Sequence, residues 1–187
     1  MSGKPSIRDA GPADVPALAA SARRFFLAAY AHLSDPEDMA AHLAANFDAG
    51  VVGAELAKHD VRYLLATQAD EIVGFMKLRR GGEPPQAIAG RNTVEVQQLY
   101  VSPDRQRGGI GRGLMDCAVA IAADEGADGI WLSVWEDADW ATRFYEGYGM
   151  RSVAKLDFAL GKTHYVDLLM WLPLSDRDRR SARRSPS

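Results

Sequence analysis

Apolar positions along the chain follow two different periods. Leu18, Ala22, Phe25 and Ala29 recur at helical spacing behind Asp14, a residue suited to a helix cap, so residues 14–31 are expected as an amphipathic helix. Ser34-Asp35-Pro36 opens a second helix with Pro in its first turn, and Met39, Leu43 and Phe47 follow four apart. A third, short helix is expected from about Val51 to His59. Ahead of these, Pro5 to Asp9 reads as a short strand and Gly11-Pro12 as a turn. From Val61 the period shortens. Val61–Thr67 and Glu71–Leu78 are short apolar-rich runs separated by Gln68-Ala69-Asp70, the pattern of a hairpin. The breaker Gly81 to Pro85 precedes another strand, Thr93 to Val101. A glycine-rich loop over 105–111 then leads into a helix from about Ile110 to Glu125. A strand from Gly129 to Trp135 comes next, and then a helix from about Ala138 to Tyr148. Two final strands run from about Arg151 to Leu160 and from Thr163 to Leu172. Helices, antiparallel strands, β-loop-α-β-α and two closing strands predict a mixed α/β (α+β) three-layer sandwich. No repeat of 20–50 residues is present.

Composition narrows this picture. The chain has 187 residues, 47% hydrophobic and 25% charged, which fits one ordinary globular domain, expected over 1–175. No apolar run approaches the length of a membrane span, and Met1 to Pro12 lacks the apolar core of a signal peptide. The lone Cys117 excludes an internal disulfide framework and any multi-thiolate metal site, so a cytoplasmic location is expected. The net charge of −3 conceals an asymmetry. Five Arg and two Asp fall from Asp176 onward, leaving 17 basic against 23 acidic residues in 1–175. An acidic body argues against nucleic acid as a partner. The basic tail, 176–187, is expected to be disordered.

The sharpest local signal is Leu99-Tyr-Val-Ser-Pro-Asp-Arg-Gln-Arg-Gly-Gly-Ile-Gly-Arg-Gly-Leu-Met115, a strand running through a glycine-rich loop into a helix with Ile110, Leu114, Cys117 and Ile121 on its apolar stripe. Backbone N–H groups at a helix start lack intrahelical partners, and the helix dipole favours an anion there. Gly108, Gly109 and Gly111 let a phosphate approach, and Arg107 and Arg112 add positive charge at the rim. A P-loop is excluded because Leu114-Met115 follow Gly113 where Lys and a hydroxyl residue are required. A dinucleotide fingerprint is out of register, and the preceding strand comes late in the chain. Cys117 reads as a packing thiol, and His32, His42, His59 and His164 show no ligand spacing, so no metal is expected.

Gln106-Arg107-Gly108-Gly109-Ile110-Gly111 resembles the acetyl-CoA pyrophosphate loop, Gln/Arg-x-x-Gly-x-Gly/Ala, of the GNAT superfamily of N-acetyltransferases. The Leu-Tyr-Val-x-Pro lead-in at 99–103 matches too. So does Trp135-Glu-Asp-Ala-Asp-Trp-Ala-Thr-Arg-Phe-Tyr-Glu-Gly-Tyr-Gly-Met150, with Ala141, Phe144, Tyr145 and Gly149 in register with the superfamily's second motif. Ile7 to Asp14 looks like its first strand and helix entry, so the resemblance spans about residues 5–173. One position departs: Ala138 stands where this branch commonly has Asn.

The resemblance implies a three-layer α/β/α sandwich around a mixed, mostly antiparallel sheet, with acetyl-CoA as cosubstrate and direct transfer to an amine. It implies that the backbone of Leu99, Tyr100 and Val101 meets the pantetheine arm and that Gln106, Arg107, Gly108, Gly109, Ile110, Gly111 and Arg112 hold the pyrophosphate. Glu95 aligns with a frequent catalytic base of the superfamily, on a largely uncharged strand. Tyr145 aligns with the acid that protonates the departing sulfur. Gln97, two residues from Glu95 on the same strand face, and Trp135, closing its strand, are candidate acceptor-binding residues. A homodimer is a further expectation from resemblance.

Within the superfamily the chain looks most similar to the bacterial spermidine/spermine acetyltransferase branch. The residues that carry this include Glu71 to Leu78, Glu95 to Val101, Trp131 to Glu136 and Asp167 to Met170. A small primary amine, polyamine-like, is then the expected acceptor, and the acidic body agrees with a cationic substrate. Two alternatives stay open: an amino group on a protein, peptide or antibiotic, and a CoA-binding module without turnover.

Overall fold

The structure, a computed structural model, describes residues 4–31, 35–160 and 163–175. The basic tail, 176–187, and the expected helix-opening Ser34 lie outside the described residues. In chain order come β1 (Ser6–Asp9), a 3-10 turn at Pro12–Asp14, α1 (Val15–Tyr30), α2 (Pro36–Phe47), α3 (Ala49–Leu56), β2 (Val61–Gln68), β3 (Glu71–Arg80) and β4 (Thr93–Val101). A second 3-10 turn, Pro103–Arg105, is followed by α4 (Ile110–Asp124), β5 (Gly129–Trp135), α5 (Asp139–Tyr148), β6 (Arg151–Leu160) and β7 (Thr163–Pro173). The strands form one seven-stranded sheet in the order β1-β2-β3-β4-β5-β7-β6. The pairing of β4 with β5 is parallel, and those of β1 with β2 and β5 with β7 are antiparallel. This is the expected mixed α/β fold, a mixed sheet flanked by helices. Two compact units divide the chain, with boundaries at Lys77/Leu78 in β3, Gln97/Gln98 in β4, Leu114/Met115 in α4, Phe158/Ala159 in β6 and Thr163/His164 in β7.

The first unit holds β1 to most of β3, the end of β4 and the start of α4. Its core is Leu18, Phe25, Leu43, Phe47 and Val52 from the helices, packed with Tyr63, Leu65 and Phe75 from the strands. Capping sets the helix starts. Asp35 accepts from the Glu37 N–H, and Asp48 accepts from the Gly50 N–H at 2.9 Å, which starts α3 at Ala49, two residues before the apolar pattern suggested. Ala69 and Asp70 both take positive φ, 48° and 63°, which suits the right-handed twist of a two-residue hairpin joining β2 and β3. Gly74 is a close-approach position. A Cβ there would stand 3.1 Å from the Tyr100 carbonyl oxygen and 3.0 Å from Ile110, so its absence lets β3, β4 and the start of α4 close on one another.

The second unit holds the first half of β4, β5, most of α4, α5, most of β6, and β7. Ile88, Leu169 and Trp171 form a small core with Trp131, Ala154 and Leu156 packed against it. The buried stripe of α4 in this unit is Met115, Ala118 and Ala122, while Cys117 and Ile121 are half-buried. Ile110 and Leu114, at the start of the helix, are buried as expected, and beyond them the stripe runs through Met115, Ala118, Ala122 and Ala123 rather than Cys117 and Ile121. Helix α5 ends at Gly149 with φ 108°, the left-handed cap that lets the Met150 N–H return to the Tyr145 carbonyl at 3.0 Å. Tyr148 ties α5 to α4 by donating to Asp116 at 2.7 Å.

Candidate active site

The glycine loop lies in the first unit. Strand β4 ends in half-buried Leu99, Tyr100 and Val101, and buried Ser102 then donates its N–H to the Val73 carbonyl at 2.9 Å. The Ser102 hydroxyl bonds Asp104 and holds that carboxyl below the usual carboxylate range. Gln106 turns back on the strand, its Nε2 donating to the Val101 carbonyl at 3.4 Å. Arg107 and Gly109 are left-handed, φ 64° and 80°, on either side of Gly108. Gly109 lies in open space, whereas a Cβ on Gly108 would approach the Arg105 carbonyl oxygen to 3.3 Å. The first intrahelical bond of α4 runs from the Gly113 N–H to the Gly109 carbonyl at 2.9 Å, so the N–H groups of the turn ahead of it have no acceptor within the helix. Arg105 to Gly109 are exposed, and buried Ile110 anchors the helix start. Exposed amide donors, a helix dipole and nearby guanidinium groups together suit a diphosphate.

The second unit carries the candidate chemical groups. Glu95 and Gln97 sit on one face of β4, and Gln97 Nε2 donates to Glu95 Oε2 at 2.9 Å. The other amide atom, Gln97 Oε1, is buried with no hydrogen-bond partner. A flipped amide would set oxygen against carboxylate, so the donor bond to Glu95 fixes which atom is left over. In the parallel register Glu95 lies opposite Trp131, and Trp131 Nε1 donates to Thr93 Oγ1 at 3.2 Å. Tyr145 is 9% exposed on α5, with its ring edge-on to Phe144 at 5.1 Å. Ala138 is buried at the capping position of α5 and supplies no side-chain acceptor to the Ala141 or Thr142 N–H groups, which turn to its carbonyl. An Asn would have offered that acceptor.

Glu95 and Gln97 are thus brought together as the sequence suggested. Trp135 stands further along β5, edge-on to Tyr165 with centroids 5.9 Å apart. Asp167 lies on β7 directly opposite Trp135 of β5. Burial pushes the Asp167 carboxyl above its usual value, against a hydrogen bond from Ser133 that lowers it. The alternation Tyr165-x-Asp167-x-Leu169-x-Trp171 marks one strand face, but only the pairing of β7 with β5 shows what that face meets. Among the described residues no three His, Cys, Asp or Glu side chains gather as a metal site, and no helix is long and apolar enough to cross a membrane.

Comparison with known proteins agrees with this fold. The family model described as acetyltransferase (GNAT) family matches residues 19–150. An uncharacterized N-acetyltransferase of Mycobacterium tuberculosis (strain ATCC 25618 / H37Rv) is 32% identical over 157 residues, 84% of this chain and 96% of that protein. One from Lactobacillus delbrueckii subsp. lactis is 26% identical over 157 residues, 84% of this chain and 90% of that protein. Among solved structures, the PaiA N-acetyltransferase of Thermoplasma acidophilum, in complex with coenzyme A, superposes with a TM-score of 0.75 at 20% identity. That match covers 92% of this chain and all of the other.

Proposed function

The chain belongs to the acetyltransferase (GNAT) family and is an N-acetyltransferase; from that premise we propose that it moves the acetyl group of acetyl-CoA to the primary amine of a small cationic molecule, with Glu95 and Gln97 receiving the amine. The observation that carries the reading is the Glu95–Gln97 pair. One carboxylate oxygen is oriented by the Gln97 amide, and the buried Gln97 oxygen still needs a donor. A buried unsatisfied acceptor costs about 1–3 kcal/mol, which an arriving N–H would recover.

Acetyl-CoA supplies the activated acetyl group as a thioester, whose transfer to nitrogen forms an amide and releases the CoA thiol. The loop Gln106 to Arg112 holds the pyrophosphate through backbone donors and guanidinium charge. The Leu99–Val101 backbone aligns the pantetheine arm, and an N–H at Leu99 or Val101 polarises the acetyl carbonyl. Glu95, directly or through a water, takes one proton from the acceptor ammonium so that its lone pair can attack. Gln97 Oε1 accepts a second N–H and keeps the nitrogen aimed. Tyr145 gives its phenolic proton to the departing sulfur, a group of similar basicity, and the remaining extra proton on the nitrogen, acidic once the C–N bond has formed, returns the phenolate to its neutral form. An alcohol has a single proton and would leave either Glu95 or Gln97 without its partner, which favours nitrogen acceptors.

The test is free-thiol release from acetyl-CoA across a panel of alkyl amines, polyamines, amino sugars and peptide N-termini, with the products identified by mass. Small cationic amines are expected to be turned over, and Glu95→Gln is expected to lower kcat at neutral pH by about 10²–10³-fold. Turnover confined to peptides would overturn the acceptor assignment. Tight CoA binding without turnover of any amine would overturn the catalytic one.

A further inference from the structure

Helix α5 of the second unit carries a buried hydroxyl that acetyl transfer as derived above does not use. Ala138, Ala141 and Tyr145 are buried, and half-buried Thr142 completes their stripe at the spacing i, i+3, i+4 and i+7. The other side of the helix is a different surface. Asp139, Trp140, Arg143 and Glu146 are exposed there, and Asp139 pairs with Arg143 at 3.2 Å. On the inward stripe, Thr142 Oγ1 is shut off from solvent and has no hydrogen-bond partner.

A helical threonine ordinarily settles its hydroxyl on the carbonyl one turn back. Here that carbonyl belongs to Ala138 and already accepts the Ala141 and Thr142 N–H groups, at 2.9 and 3.0 Å, and the Thr142 hydroxyl does not join them. Ala138 presents only a methyl group, so its side chain offers the hydroxyl nothing. A valine has nearly the same shape and would leave no orphaned group. The threonine is therefore explained by a partner that arrives from outside the chain.

Tyr145 follows Thr142 by three residues on this stripe, and in the proposed function its phenol meets the departing sulfur. Side chains three apart on a helix stand about 5–6 Å apart at Cβ. In CoA a two-carbon spacer separates the sulfur from the first amide of the pantetheine arm, a polar group on that same length scale. We propose that Thr142 Oγ1 hydrogen-bonds this amide and fixes how deep the thioester sits against Tyr145. A hydroxyl both donates and accepts, so it suits either the amide C=O or its N–H. The inference rests on the reading that α5 meets the thioester end of acetyl-CoA.

The experiment measures calorimetric binding to wild type, Thr142→Val and Thr142→Ser. The ligands are CoA and ADP phosphorylated on its ribose, which is the nucleotide of CoA without the arm. Thr142→Val keeps the shape and deletes the hydroxyl. It is expected to weaken CoA binding about three- to tenfold, the loss of one neutral hydrogen bond, and to leave the affinity for the armless nucleotide unchanged. Thr142→Ser keeps the hydroxyl and is expected to bind CoA nearly as wild type does. The ligand-free melting temperature of Thr142→Val should hold or rise, because a buried unsatisfied group is gone. KM for acetyl-CoA should rise in parallel with the CoA dissociation constant, with KM for the amine unmoved. Equal CoA affinity in wild type and Thr142→Val overturns the contact. So does an equal loss for CoA and the armless nucleotide, or a rise confined to KM for the amine. A wild-type protein that binds no CoA overturns the cosubstrate reading, and the contact falls with it.

Discussion

The Trp171 ring lies where a side chain on Gly129 would have to be: a Cβ there would stand 2.2 Å from Trp171 Cη2 and 2.4 Å from the Leu172 carbonyl oxygen. Gly129 opens β5 directly opposite Pro173 in β7 and Thr93 in β4, so the glycine lets the indole cross the strand that links the two. Backbone on one side and a rigid ring on the other leave no cheap relaxation. Gly129→Ala is expected to destabilise the protein by about 3 kcal/mol, at the upper end of overpacking costs, read as a fall in the denaturant midpoint. A change below about 0.5 kcal/mol would mean the indole moves freely and does not fix the face that carries Glu95.

Gln97 separates a functional role from a structural one. Its buried Oε1 has no partner, so replacing the amide by an apolar chain of similar shape removes an unsatisfied group. Gln97→Met also deletes the Nε2 bond to Glu95, so two effects of opposite sign are expected to leave the melting temperature within a few degrees of wild type while kcat/KM for the amine falls about tenfold, a loss of ~1.4 kcal/mol of transition-state stabilisation. A lower melting temperature with unaltered kinetics would assign Gln97 to the scaffold alone.

Tyr145→Phe keeps the ring that packs on Phe144 and deletes only the hydroxyl. Loss of an acid acting in the transition state lowers kcat and kcat/KM together, here by an expected 10²-fold, with little change in KM for acetyl-CoA. The defect should shrink with an acetyl thioester whose thiol is more acidic, since that sulfur needs less help to leave. A defect independent of the leaving thiol would move Tyr145 from acid to packing residue.

Element types were legible in the sequence because the periods are clean, as in α1 and the β2–β3 hairpin. What escaped was set by partners distant in sequence. The start of α3 follows from the Asp48 carboxylate reaching the Gly50 N–H, a cap that the apolar pattern does not contain. On α4 Ile110 and Leu114 are buried as the pattern suggested, but the stripe continues through Met115, Ala118, Ala122 and Ala123 rather than Cys117 and Ile121, because alanines are invisible to a count of large apolar residues. The loop and Glu95 could be read locally, each lying on one contiguous segment. The half-buried setting of Asp167 could not, because it comes from pairing β7 beside β5, ahead of β6 in the sheet order.

Asp14 gives the fold a defined acid sensitivity. Two Arg8 bonds, at 2.7 and 2.8 Å, and the Gly11 N–H at 2.8 Å lower its pKa from 3.8 to about 2. A carboxyl with a depressed folded pKa binds fewer protons folded than unfolded, so its contribution is fully present above about pH 3.8 and is lost as pH falls toward 2. Asp14→Asn should cost about 1 kcal/mol at pH 7, the scale of a lost cap and a partly exposed ion pair. The gap between variant and wild type should close as the pH of the unfolding experiment approaches 2. A gap that persists there would mean the loss comes from packing.

Arg107 is the sharpest local conflict in the loop, since an arginine occupies a left-handed position, φ 64°, in a segment where glycines stand at 108, 109, 111 and 113. A non-glycine residue in that region costs on the order of 1 kcal/mol or more, so its side chain must return something a glycine would not. In the proposed function that return is a guanidinium beside the pyrophosphate. Arg107→Gly relieves the backbone and deletes the charge, two effects with opposite signatures. The melting temperature of the ligand-free protein is expected to stay level or rise, while KM for acetyl-CoA rises about three- to tenfold, with a shallower dependence on salt because one screened charge is gone. An unchanged KM would break the link between the strained arginine and the cofactor. A lower melting temperature would show that the side chain serves the fold.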